Sequence, residues 1–434
     1  MNSNRYKKTL FGFIPNDWKL VKLSKICNND GGIQTGPFGS QLHQEDYVDN
    51  GTPIITVEHL GDNEIIHKNL PGVSDEDKKR LKKFILETGD IVFSRVGSVD
   101  RSSIVRENEN GWLFSGRCLR VRGNKETIDP YYLSHFFGLQ TFKSYVRNNA
   151  VGATMPSLNT SIMSNLLIIL PPILIQQKIA SVLSAYDDLI ENNNRRIAIL
   201  EQMAQSIYKE WFVRMRFPGY QNAEFADGLP KGWIKQKVGD TFEITGGGTP
   251  SKEKNEYWKN GDIDWYTPTD ITSNGLFLTS SKLKINDLGL ARSSAKLFPP
   301  YSIMMTSRAT IGEIGINTKE ACTNQGFITC LPNERISYLY IYFWIKYHKK
   351  LIILLSSGAT FAEMTKSVFK KMDILVPSQE ATDEFFNITD PMFKQIEALI
   401  KKNINLKKTR DLLLPRLITA KLSVDNINPE SEES

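Results

Sequence analysis

From Gln176 to Trp211 the chain repeats with alternating spacings of three and four, through Gln176, Ile179, Leu183, Tyr186, Ile190, Asn193, Ile197, Leu200, Ala204, Ile207 and Trp211. That is a heptad seam of about five repeats, and a helix carrying it needs a partner along its length. A second seam in the same register follows about 206 residues later, at Met392, Ile396, Leu399, Asn403, Leu406, Arg410, Leu413 and Leu417. One long helix is therefore written twice, and the obvious partner of each copy is the other.

The segments between the helices repeat as well. Ile14-Pro15-Asn16-Asp17-Trp18 returns as Leu229-Pro230-Lys231-Gly232-Trp233, Gly31-Gly32 as Gly246-Gly247, and Tyr47-Val48-Asp49-Asn50-Gly51 as Tyr257-Trp258-Lys259-Asn260-Gly261. Ser94-Arg95 matches Ser307-Arg308, and Gly152-Ala153-Thr154 matches Gly358-Ala359-Thr360. The offsets stay between about 206 and 215 residues, far longer than a solenoid repeat. Alternating apolar runs beside Gly and Asn turns predict short strands, so the fold class is α+β: two mixed α/β domains separated by two long helices, with a pseudo-two-fold internal repeat. The expected boundaries are 1–172 for the first domain, 173–215 for the first helix, 216–377 for the second domain, 378–420 for the second helix and 421–434 for a disordered acidic tail. Pro415 is expected to kink or end the second helix about a turn early.

At 434 residues, 40% of them hydrophobic, the chain has material for more than one core. Its formal charge of +6 suits an anionic partner without demanding one. Cys27, Cys118, Cys322 and Cys330 are too scattered for a disulfide framework or a zinc site, which points to a reducing cytoplasm. No signal peptide or membrane span is legible.

The chemistry of an enzyme is hard to find. Phe298-Pro299-Pro300-Tyr301 resembles the Asn/Asp-Pro-Pro-Tyr motif of amino-methyltransferases, but phenylalanine cannot accept hydrogen bonds from a target amino group. Gly246-Gly247-Gly248 lacks a strand-to-helix dinucleotide context, and Thr249-Pro250 follows where a helix should start. No Walker A sequence is present, and His43, His59, His67, His135 and His348 lack metal-ligand spacing. A self-contained DNA methyltransferase with an unrecognised cofactor site stays open as the alternative, as does a purely structural coiled-coil adaptor.

Side chains suited to DNA are easier to name, because Ser, Thr and Gly in turns offer donors to phosphates while Arg, Gln and Asn can read base edges. In the first half these are Thr35, Gly36, Ser40, Arg95, Arg101, Arg117 and Arg120; in the second they are Thr249, Ser251, Lys252, Ser307, Arg308 and Gln325. Each alone is more often a solvated loop residue. The Ser-Arg pairs gain weight from falling at matching places in the two copies. Lys78-Lys79-Arg80 with Lys82-Lys83 reads as an exposed helical face.

The helix sets a scale: Gln176 to Trp211 spans roughly 54 Å at about 1.5 Å per residue, on the order of sixteen base pairs. Asn193 and Asn403 sit on the seam, where a polar residue costs stability and can fix register. Arg410 breaks the apolar rule more severely, and is expected either to snorkel or to meet a carboxylate of another subunit.

Ile14-Pro15-x-x-Trp18, Thr35-Gly36-Pro37-Phe38-Gly39-Ser40, Gly89-Asp90-Ile91-Val92-Phe93-Ser94-Arg95, Gly152-Ala153-Thr154 and Leu170-Pro171-Pro172 with Gln176-Gln177-Lys178-Ile179 together resemble the specificity subunit of type I restriction-modification systems. The second half resembles it again through Leu229-Pro230-x-x-Trp233, Tyr257-Trp258-x-Asn260-Gly261-Asp262-Ile263-Asp264-Trp265, Ser307-Arg308 and Asn324-Gln325-Gly326-Phe327. The resemblance implies two target recognition domains joined by an antiparallel coiled coil and reading a bipartite, asymmetric sequence in double-stranded DNA. It implies a non-catalytic chain that docks two modification subunits, which carry S-adenosylmethionine and methylate adenine, and restriction subunits that use ATP and magnesium. Ser378-Gln379-Glu380-Ala381-Thr382 lacks the double Gln of the first copy, so the two helices are not equivalent.

Overall fold

The computed structural model describes residues 5–28, 31–39, 41–152, 154–356 and 362–425. The chain divides into two compact units, one of Met1–Ile190 with Asn405–Ser434 and the other of Glu191–Ile404. Each therefore holds one globular domain and a segment of both long helices.

In the first unit, Lys19–Lys22 pairs antiparallel with Leu167–Leu170, bringing the two ends of the domain together. Between them lie two four-stranded sheets. One has the order Ile33–Thr35, Cys118–Val121, Ile91–Ser94, Ser102–Ile104, and the other Leu113–Phe114, Thr52–Ile55, Gly72–Val73, Tyr47–Val48. The helix Pro130–Gly138 begins as its sequence dictates, with proline in the first turn and the Asp129 carboxylate accepting from Tyr132 N at 2.8 Å. It packs Phe137 against Phe93, ring centroids 4.7 Å apart, in a core that also contains Leu183 and Leu417 of the long helices.

The second unit repeats this plan. Ile234–Lys237 pairs antiparallel with Asp373–Val376, and the strand order Glu243–Gly246, Phe327–Leu331, Ile303–Thr306, Ile314–Asn317 corresponds to the first sheet of the other unit, with Phe277–Leu278 added at the edge. Both units contain one parallel pairing in the remaining sheet, Leu113–Phe114 beside Thr52–Ile55 and Ala321–Thr323 beside Ile263–Tyr266. Asn50 and Asn260 both adopt positive φ, at 59° and 55°, in the Asn-Gly turns the sequence marks.

Strand register corrects two of the sequence matches. Ile91 faces Ile104 as Ile303 faces Ile316, and Ser94 faces Cys118 as Thr306 faces Phe327. The backbone bonds agree: Arg95 N donates to Arg117 O, and Ser307 N to Gly326 O. Arg95 is thus equivalent to Ser307, and Arg308 to Val96; the two Ser-Arg pairs are one residue out of step. Likewise Thr35 faces Leu119 as Gly246 faces Ile328, so Gly247 is the counterpart of Gly36 rather than of Gly32. Both must be glycine, because an added Cβ would stand 2.2 Å from Ser115 O in one unit and 2.0 Å from Asn324 O in the other. The Gly152-Ala153-Thr154 and Gly358-Ala359-Thr360 match and the tail 426–434 fall wholly or partly outside the described residues.

The first long helix runs Ile173–Tyr208 and closes in a π turn over Lys209–Val213; the second runs Gln379–Ile418. Pro415 does not end the second helix early. Thr419 N bonds to Pro415 O, and the stop comes at Ala420, at φ 52°, where Lys421 N reaches back to Arg416 O.

In the first unit Asp187 meets Arg410; in the second, Asn193 meets Asn403 and Tyr208 packs on Phe385. Within the second unit the helix segments therefore run antiparallel, and in the first Lys178 Nζ reaching Asp425 O gives the same sense. Ile190, Asn193, Ala204, Ile396, Leu399, Asn403 and Leu417 are buried as the seam requires, and Ile197, Leu200 and Leu406 are half-buried. Tyr186, Ile207, Met392 and Leu413 yield the interior to their successors Asp187, Tyr208, Phe393 and Leu414. Tyr208 and Phe393 belong to the core of the second unit and Leu414 to that of the first, so at these places the globular domain as well as the other helix decides which residue turns inward.

Candidate nucleic-acid interface

In the first unit the turn after Ile33–Thr35, the turn after Ile91–Ser94 and the turn before Cys118–Val121 come together. Gly36 N donates to Cys118 O at 3.2 Å and Arg95 N to Arg117 O at 2.8 Å, which joins the three turns through backbone bonds. Arg95 donates from Nη1 to Gly116 O at 3.1 Å and lies 5.2 Å from the ring centroid of Phe38, whose face is half exposed. Arg117 is exposed beside it, and Thr35 is half-buried. These side chains form one surface cluster of cations and hydroxyl, with an apolar ring set among them.

The same turns in the second unit carry different side chains. Thr249 Oγ1 donates to Gln325 Oε1 at 2.7 Å, occupying the places of Phe38 and Gly116. Arg308 is exposed and pairs with Glu363 at 2.8 Å. Ser251 and Lys252 are exposed on the continuing loop, where the Ser251 carbonyl accepts from Trp258 Nε1 at 3.0 Å.

Three of the sequence-named candidates have other work. Arg120 is buried, donating to Lys83 O, Ile85 O, Gly31 O and Gln34 Oε1, so it ties loops together and cannot reach a duplex. Burial pulls its guanidinium below the ordinary arginine value, with Arg122 acting in the same direction. Ser307 is buried and its backbone carries the equivalence with Arg95; its hydroxyl is not presented to solvent. Arg101 donates to Leu60 O and lines a cavity of about 330 Å³ with Asp62, His135, Lys143 and Arg410, apart from the Arg95 cluster. Gly36 is buried and contributes backbone shape. Ser40 lies outside the described residues.

Glu363 and Phe38 belong to these clusters and were not singled out by sequence. Phe38 stands within the Thr35-Gly36-Pro37-Phe38 motif, so its place could be read there; Glu363 lies in no motif and gave no signal. Arg410 finds its carboxylates inside its own unit rather than on another subunit: Asp187 at 2.5 Å, Asp62 at 2.7 Å and Asp411 at 3.0 Å. Burial opposes its charge, but Asp187 and Asp62 outweigh that and hold it above the usual arginine value. Burial likewise pushes Asp62 up, while Arg410 outweighs it and holds the carboxyl below its ordinary range.

Among the described residues no group of His, Cys, Asp and Glu is arranged to hold a metal ion, and no helix is long and apolar enough to cross a membrane. The four cysteines are free and buried, and burial pushes the Cys118 thiol up to about 12.

Residues 15–202 and 230–408 match the family model of the type I restriction modification DNA specificity domain. The specificity subunit of type I restriction enzyme MjaIX of Methanocaldococcus jannaschii is 28% identical, over 97% of each chain. The HindI specificity subunit of Haemophilus influenzae is 24% identical, over 94% of this chain and 100% of its own length. Among solved structures, the type I restriction-modification S subunit from M. genitalium superposes with a TM-score of 0.55 at 15% identity, over 93% of this chain and 96% of that one, a likeness of fold. With both of its halves matched, and the same strand register recurring in each, the chain belongs to the family of type I restriction-modification DNA specificity proteins.

Proposed function

We propose that the chain is the sequence-reading subunit of a type I restriction-modification complex, each globular domain contacting one half of a bipartite, asymmetric target in double-stranded DNA. One observation carries this reading: a single loop scaffold built twice, bearing Phe38, Arg95, Gly116 and Arg117 in one unit and Thr249, Ser307, Gln325 and Gly326 at the equivalent places of the other. A conserved backbone with different donors is what two different half-sites require, since base edges are distinguished by donor and acceptor pattern. The paired long helices would set the unread spacer and dock two modification subunits, with restriction subunits joining that core. S-adenosylmethionine, ATP and magnesium would be bound by those partners, and the chain itself would supply no catalytic group.

Methylome sequencing of cells with and without the chain tests this. A split methyl-adenine motif that vanishes with the chain and returns on complementation is expected. Methylation of DNA by the purified chain alone would overturn it in favour of a self-contained methyltransferase.

A further inference from the structure

The duplication makes the two ends of the helix pair equivalent in backbone and unlike in chemistry. In the first unit Asp187 of the first helix is buried against Arg410 of the second, at 2.5 Å, with His135 Nε2 3.9 Å from the same carboxylate. Asn63 Nδ2 donates to Asp187 at 3.0 Å, and Ser134 in turn to Asn63, so the carboxylate is held on several sides.

The repeat carries Asp187 to Phe393 and Arg410 to Ala204. Tyr132 and Tyr340 are equivalent through their hydroxyl bonds to Ile169 O and Leu375 O, which makes Phe343, three residues on, the counterpart of His135. Ala204, Phe343 and Phe393 are all fully buried in one apolar core, the two rings 5.5 Å apart. The same three places are thus ionic and polar in one unit and apolar in the other. A second instance lies nearer the middle of the helices: Asn193 Nδ2 donates to Asn403 Oδ1 at 2.7 Å, while the repeat-related places hold Leu399 and Ile197.

This distribution has a definite consequence for pairing. If a first helix packed antiparallel on another first helix in this register, Asp187 would face Ala204 and Asn193 would face Ile197. Two second helices would set Phe393 against Arg410 and Leu399 against Asn403. Each like-with-like pairing sets a charge and an amide against apolar residues and takes away the partner each has on the other helix, whereas first-with-second pairing matches polar with polar and apolar with apolar. We propose that these positions are a selectivity code in the helix interface, making the first long helix fit a partner of the second kind and reject a second copy of itself. A buried ion pair adds little over an apolar pair of the same shape, but breaking one is strongly destabilising, so the asymmetry acts against wrong partners more than for the right one. Seam asparagines act in the same way on register and partner.

Point substitutions in the full-length chain recreate the wrong contacts in place. Arg410→Ala sets Asp187 against alanine, Asp187→Phe sets phenylalanine against Arg410, and the triple His135→Phe/Asp187→Phe/Arg410→Ala copies the matched apolar set. Asn403→Ile, Asn193→Leu and their combination form a second, milder cycle. Urea unfolding is expected to show each mismatched single lowering the midpoint, and the matched combinations regaining more than half of the summed loss; a mismatched single that fails to fold while its matched combination folds counts the same way. Additive losses in both cycles would overturn the proposal. Selectivity is read separately by unfolding, mixing and refolding two differently tagged full-length copies. The variant with both sets made apolar is expected to give several-fold more mixed-tag species than the native chain, and an equal fraction would overturn the code.

Discussion

Arg95 and Ser307 occupy one and the same position of the duplicated unit, each donating its backbone N–H to the turn that precedes the central strand, to Arg117 O and Gly326 O respectively. Arg95 and Arg308 therefore leave the chain at successive positions, and the two units present their arginines differently. Arg95 leans over Phe38, while Arg308 is held by Glu363.

On this basis Arg95→Ala is expected to weaken or relax recognition at one half-site and Arg308→Ala at the other, by about 1–3 kcal/mol where the arginine reads a base edge. Methylation of duplexes altered in one half-site at a time, by the assembled complex, checks it. Loss at both half-sites from either substitution would mean general phosphate contact or misfolding.

Gly36→Ala and Gly247→Ala are each expected to destabilise their own unit by about 1–3 kcal/mol, since the new methyl meets a backbone oxygen that cannot swing away. Denaturant unfolding measures the loss. A neutral result at either would show that the turn adjusts.

Burial pushes the His135 imidazole down to about 4, although Asp187 pulls the other way. The unfolded chain takes up this proton below about pH 6.5 and the folded chain does not until about 4, so stability is whole above 6.5 and falls as pH drops through that window. The slope from this residue approaches about 1.4 kcal/mol per pH unit. Asp62, held low by Arg410, adds a further loss at more acid pH as it is protonated. Urea midpoints between pH 7 and pH 4 should decline less steeply in His135→Asn; an unchanged slope would exclude His135 as its source.

Removing 190–196 from the first helix takes out about 10 Å at about 1.5 Å per residue and deprives Asn403 of its partner. Removal of 400–406 as well takes out both asparagines and restores an apolar match. The single deletion should cost assembly, whereas the matched pair should assemble and methylate a target with a spacer about three base pairs shorter at about 3.4 Å each. An unchanged spacer in the matched variant would sink the role of the helices as a ruler.

Much of this architecture was written in the linear sequence. Heptad spacing specifies long helices whatever surrounds them, because a stripe of apolar side chains must find a complementary stripe, and recurring Pro-x-x-Trp, Asn-Gly and paired-glycine landmarks reveal a duplicated fold. Local chemistry of that kind is carried by neighbours in the chain. Register is not. The matches of Ser94-Arg95 to Ser307-Arg308 and of Gly31-Gly32 to Gly246-Gly247 are plausible as strings and wrong as positions, since equivalence within a sheet is decided by which strand residues face each other across it.

The fate of the charged residues likewise belonged to the tertiary structure. Arg120 has the composition of a DNA contact and the surroundings of an internal tie. Arg410 violates its seam until Asp187 and Asp62 are brought to it from two distant places in the chain to join its neighbour Asp411. The sequence by itself determined that two long helices and two related domains would form, because periodicity and turn chemistry act over a few residues. Only the fold decided which side chains face solvent and which face one another, because burial and pairing depend on contacts between residues hundreds of positions apart.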